Sequence, residues 1–103
     1  MIKGVGVDIV EIPRVENRIA KKILSNNEFT MFLKMNELRQ KEFLSGRFAV
    51  KEALFKAGLK KPFNEMDIKY NEDESIYLAD FPNIKISISH EREYAIGYAI
   101  IED

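Results

Sequence analysis

NELRQKEFLSGRFAVKEALFKAG (residues 36–58) is the stretch on which the fold turns. Asn36 carries a short side-chain oxygen suited to accept from the free N–H groups of a first helical turn. No proline interrupts residues 37–57, and Gly58 then offers the residue that most easily ends a helix in a left-handed conformation. Pro62 prevents any continuation. The spacing predicts one long helix over residues 37–57. Glu52 and Lys56, four apart, share one of its faces. Ala49, Ala53 and Ala57 form a row small enough for a strand or another subunit to approach closely.

On the N-terminal side, residues 2–9 (IKGVGVDI) alternate, with Val5, Val7 and Ile9 on one face and Gly4, Gly6 and Asp8 on the other. Pro13 suits the first turn of a helix, where its missing N–H costs nothing. A helix over residues 13–24 would place Ile12, Val15, Ile19 and Ile23 on one side and Arg14, Arg18 and Lys21 opposite. Ser25 and Glu28 match a capping box opening a second short helix through Phe29, Phe32 and Leu33. After the long helix, residues 67–71 and 75–79 flank an acidic turn and predict a hairpin. Ile84, Ile86 and Ile88 alternate with Lys85, Ser87 and Ser89, and residues 94–101 form a last strand that is apolar on both faces. The expected fold is α+β: a small antiparallel sheet packed with one long and two short helices, in a single domain over residues 1–103.

Composition narrows the chemistry. The 103 residues include no cysteine and one histidine, which excludes disulfides, thiolate catalysis, cysteine-based zinc sites and a multi-histidine metal site within one chain. Oxygen ligation of magnesium, calcium or manganese by carboxylates remains. Residues 1–10 are apolar but broken by Lys3, two glycines and Asp8, so they fail as a signal core; no segment is expected to cross a membrane, and the cytoplasm is the default location. The net charge of −1 is unevenly spread, with 12 Lys/Arg against 6 Asp/Glu in residues 11–61 and 3 against 10 in residues 62–103. A basic half of this kind can attract phosphates, nucleic acid or an acidic protein. Nucleic acid is disfavoured because the chain is net acidic and most of its aromatics sit at positions that read as core rather than as an exposed stacking row.

Three positions are candidates for chemistry, each with a plainer alternative. Asp8 sits beside two glycines, which leaves room for a hydrated metal and a phosphate, or it is a strand-end carboxylate facing water. Glu52 lies at the edge of the alanine seam, or forms an ordinary exposed pair with Lys56. His90 ends the apolar stripe of residues 84–90, where a histidine is commonly structural. Taken singly, the plainer alternatives win.

Together the segments resemble the holo-[acyl-carrier-protein] synthase family of the 4′-phosphopantetheinyl transferase superfamily. Gly6-Val7-Asp8-Ile9-Val10-Glu11 with Arg14, Gly46-Arg47-Phe48-Ala49-Val50-Lys51-Glu52-Ala53-Leu54-Phe55-Lys56, and Ser87-Ile88-Ser89-His90-Glu91 match its three signatures in order. The resemblance covers nearly the whole chain. It implies transfer of 4′-phosphopantetheine from coenzyme A to a serine of apo acyl carrier protein, with release of 3′,5′-ADP, in support of fatty acid synthesis. It further implies Asp8 and Glu52 as magnesium ligands and Lys56 as the basic residue at the transferred phosphate. Arg47 and His90 would meet the nucleotide end of coenzyme A, and Arg14, Arg18 and Lys21 the acidic carrier. A homotrimer with active sites between subunits is also implied. The chain departs from the family after the long helix, where Gly58-Leu59-Lys60-Lys61-Pro62 stands in place of a glycine-rich turn. Lys60 and Lys61 are expected to supply charge there in place of backbone amides.

Overall fold

The long helix forms as its ends dictate. In the computed structural model, which describes all 103 residues, it runs Glu37–Ala57 (α3), with the Arg39 amide donating to Asn36 Oδ1 at 2.9 Å and Gly58 closing it at φ 128°. The preceding short helix, Asn26–Leu33 (α2), opens on the expected capping box. The Glu28 amide donates to Ser25 Oγ at 3.2 Å, and the Ser25 amide to Glu28 Oε1 at 2.9 Å.

The region expected as one helix over residues 13–24 is different. A 3₁₀ turn at Ile12–Arg14 gives way to extended backbone at Val15 and Glu16. A second 3₁₀ turn at Asn17–Ile19 leads into a single helical turn, Ala20–Ile23 (α1). Tertiary contacts override the helical period here. The Ile12 amide donates to Glu93 O at 2.7 Å, anchoring the segment to a turn far along the chain, while Ile12, Val15 and Ile23 are still buried. The apolar positions were therefore read correctly and the continuous helix was not. Arg14, Arg18 and Lys21 consequently do not share one helical stripe, though all three are exposed.

Five strands complete the fold: β1 Ile2–Glu11, β2 Ile68–Tyr70, β3 Ile76–Leu78, β4 Ile84–His90 and β5 Tyr94–Glu102. β1, β5 and β4 make an antiparallel sheet in that order, and β2 and β3 form the predicted hairpin. α3 lies across one face of the three-stranded sheet at very close range. A Cβ on Gly6 would stand 1.9 Å from Ala53 O, and one on Gly97 2.3 Å from the Val50 backbone. The space that the glycines beside Asp8 leave is thus filled by helix backbone, not held open for a ligand, which corrects the expectation of room for a hydrated metal there. The alanine row of α3 is the other half of this seam.

The seam inverts the usual pattern of an exposed sheet. Small residues point inward, whereas Val5, Val7, Ile9, Ile96 and Tyr98 point outward, each exposed by 41–62%. Val7 stands opposite Tyr98, and Ile9 opposite Ile96, so these side chains form one apolar surface. The buried core lies along α3. Val10, Val15, Phe32, Phe43 and Leu44 cluster toward one end, and Val50, Leu54, Met66, Ile68 and Ile84 toward the other.

Candidate active site

Two acidic side chains 44 positions apart come to one wall because α3 runs along the glycine face of β1. Asp8 and Glu52 line a single cavity of about 340 Å³, together with Arg14 and Phe48. Lys56, one turn beyond Glu52, reaches back across the seam, where its ammonium donates to Asp8 Oδ1 at 2.9 Å and to Val7 O at 3.3 Å. The bond and charge of Asp8, helped more weakly by Glu52, raise the Lys56 ammonium above its ordinary value. Arg14 pairs with Glu11 at 2.9 Å on the same rim. No three Asp, Glu or His side chains converge into a closed metal cage. The donor set is two hard carboxylates at an open wall, with a lysine balancing one of them. It suits a cation that takes its remaining ligands from water and substrate oxygens.

A second cavity, of about 330 Å³, lies between α3, the β2–β3 hairpin and β4. Arg47 and His90, far apart in sequence, both line it, with Arg39, Tyr70 and Ser87. Gly46 lets β4 lie close, since a Cβ there would stand 3.0 Å from Ile88 Cγ2. Arg47 is almost wholly buried. Its guanidinium lies over the Phe43 ring at 4.3 Å, Nη2 donates to the Tyr70 hydroxyl at 2.9 Å, and Nε stands 3.4 Å from Glu28 Oε2.

Glu28 is the hub behind this wall, and sequence reasoning did not find its role. Fully buried, it accepts from the Ser25 amide, from Lys51 Nζ at 2.5 Å and from the Ile68 amide at 3.0 Å. Lys51 is equally buried and donates also to Ile23 O and Phe63 O, at 2.8 and 3.0 Å. Burial lowers its ammonium from the ordinary lysine value, against the opposing pull of Glu28. Arg47 and Lys51 lie four apart on α3 and face this one carboxylate. The spacing was visible in the sequence, but the partner was not.

The remaining expected residues lie outside both cavities. Lys60 donates to Phe55 O at 2.8 Å and covers the Phe55 ring at 3.9 Å, while Lys61 stands over Phe81. Arg18 pairs with Glu16 at 2.7 Å, and Lys21 lies over Phe29.

Residues 4–99 match the 4′-phosphopantetheinyl transferase superfamily. The chain belongs to that superfamily. A holo-[acyl-carrier-protein] synthase of Mycoplasma capricolum is 43% identical over 105 residues, which span 97% of this chain and 94% of the relative. One from Bacillus subtilis is 33% identical over 117 residues, spanning 99% and 97%. The crystal structure of a holo-[acyl-carrier-protein] synthase from Bacillus anthracis, in complex with CoA (3′,5′-ADP), superposes with a TM-score of 0.89 at 31% identity, covering 99% of this chain and 97% of that one. The superfamily fold thus extends over both cavities, and with it the α+β architecture expected from the sequence.

Proposed function

We propose that this chain, acting as one transferase domain over residues 1–103, moves 4′-phosphopantetheine from coenzyme A to a serine of apo acyl carrier protein and releases 3′,5′-ADP. The observation that carries the reading is the meeting of Asp8, Glu52 and Lys56 at one cavity wall. The serine oxygen attacks the β-phosphorus of coenzyme A, and the bridging oxygen leaves with 3′,5′-ADP. Such a transfer needs in-line positioning and charge neutralisation more than covalent help. Asp8 and Glu52 would hold magnesium, which when bound neutralises charge on the diphosphate. Lys56, whose ammonium stays protonated well above neutral pH, supplies positive charge to the phosphate oxygens. Glu52, or a water oriented by Asp8, takes the serine proton. Arg47 and His90 receive the nucleotide end of coenzyme A, with Lys60 and Lys61 adding charge at its approach. Arg14 on the rim, with Arg18 and Lys21 beyond it, attracts the acidic carrier.

The two cavities share no lining residue within one chain. A diphosphate bound by both sets is therefore best served by two copies, one presenting the Asp8 wall and its neighbour the Arg47 wall. The outward apolar face of β1 and β5 favours such an assembly, which we take to be a homotrimer. No helix is long and apolar enough to cross a membrane, which fits a cytoplasmic enzyme serving fatty acid synthesis.

Intact-protein mass spectrometry of apo acyl carrier protein, incubated with this chain, coenzyme A and magnesium, tests the reading. The expected result is a mass gain of one phosphopantetheine with release of 3′,5′-ADP. An unchanged carrier mass alongside measurable coenzyme A binding would make the chain a binding module instead.

A further inference from the structure

Arg47 is almost wholly buried, yet few of its neighbours give the guanidinium a direction. Its Nε stands 3.4 Å from Glu28 Oε2 but makes no hydrogen bond to it, whereas the Ile68 amide donates to that same oxygen at 3.0 Å. Glu28 Oε1 is engaged in turn by Lys51 and the Ser25 amide. Glu28 therefore supplies charge to Arg47 but little direction. The Phe43 ring at 4.3 Å and the Tyr70 ring at 5.4 Å confine the guanidinium to a slab without fixing its rotation within that slab, and Tyr70→Phe keeps both rings. The one side-chain hydrogen bond that the guanidinium donates is from Nη2 to the Tyr70 hydroxyl, at 2.9 Å. Tyr70 is the last residue of β2, stands on the hairpin wall of the cavity and is 44% exposed, so it adds little to the buried core.

We propose that Tyr70 is a positioning residue that, through its hydrogen bond to Arg47, fixes the guanidinium for the phosphate-bearing nucleotide end of coenzyme A. The proposal rests on the reading of the Arg47–His90 cavity as the site of that end. With Nη2 turned toward Tyr70, the remaining N–H groups of the fork keep one orientation, and a bidentate approach to phosphate requires such an orientation. Without the hydroxyl, the guanidinium turns in the Phe43 slab and must be ordered by the ligand itself, so affinity for coenzyme A falls while the chemistry at the Asp8 wall does not change.

Steady-state kinetics of the assembled enzyme with coenzyme A and apo carrier protein test this with Tyr70→Phe, Arg47→Met and the double variant, each checked by thermal unfolding. Tyr70→Phe is expected to raise KM for coenzyme A roughly three- to tenfold with kcat nearly unchanged and an unaltered Tm. Arg47→Met is expected to raise that KM further, and adding Tyr70→Phe to it should then have no effect. If Arg47→Met raises KM and Tyr70→Phe does not, the positioning role is wrong although the cavity assignment stands. An equal Tyr70→Phe effect with and without Arg47 would make the hydroxyl a direct ligand and also overturn the proposal. If Arg47→Met leaves KM unchanged, the assignment of the cavity itself fails.

Discussion

Lys51 shows how much a single buried charge can organise. Its ammonium serves Glu28 and two backbone carbonyls and has no exposure. Lys51→Met would leave the buried Glu28 carboxylate its two amide donors but only Arg47, at 3.4 Å, as a counter-charge, and is expected to destabilise the fold by about 3–5 kcal/mol in urea denaturation. The pH dependence has a definite sign. Burial lowers the folded-state value below the unfolded one, so between the two the unfolded chain binds more protons, and this group's contribution to stability rises with pH there. The stability gap between parent and Lys51→Met should accordingly widen as pH rises toward the ordinary lysine value; a narrowing gap would show that the folded protein raises the lysine instead. None of this could be read from residues 47–56 alone. The sequence places Arg47 and Lys51 on one helix face, but a lysine on a helix reads as solvated until a buried carboxylate from α2 is found against it. Asp8, Glu52 and Lys56 were more legible, because their signatures recur together and two of them share a helix turn.

Among the elements, α3 and its seam with β1 and β5 decide where the site forms. Gly6→Ala is expected to cost about 3 kcal/mol or more, since the added carbon meets the Ala53 carbonyl and neither backbone can yield. The same clash would push Glu52 away from Asp8, so activity should fall in parallel with stability. Urea midpoints and transfer rates for this variant check both; a stable, active Gly6→Ala would mean that the seam is looser than drawn. The boundaries of α3 and the capping box of α2 were legible because Asn36, Gly58, Ser25 and Glu28 act through local bonds. The segment over residues 13–24 was not. Its 3₁₀ turns depend on a hydrogen bond to Glu93, and one periodic row of apolar residues suits either conformation. The glycines of β1 were ambiguous for a similar reason. A strand bared for a ligand and one bared for a helix carry the same residues.

At the scale of the whole molecule, the unusual feature is a sheet with its large apolar side chains turned outward. Val7→Asp places a charge at the centre of that face and is expected to dissociate the proposed trimer, with the sedimentation coefficient falling to that of a single chain. Transfer should be lost with it, because one chain keeps the Asp8 and Arg47 cavities apart. A Val7→Asp protein that remained assembled would place the interface elsewhere. The measurement closest to the centre of the account is transfer by Asp8→Ala, Glu52→Ala and the double variant in magnesium, followed by carrier-protein mass, with circular dichroism as the check on folding. If the two carboxylates hold one cation, each single variant should lose about a thousandfold or more in rate while staying folded, and the double variant should lose little beyond either single one. A folded single variant that keeps near-normal turnover would contradict it.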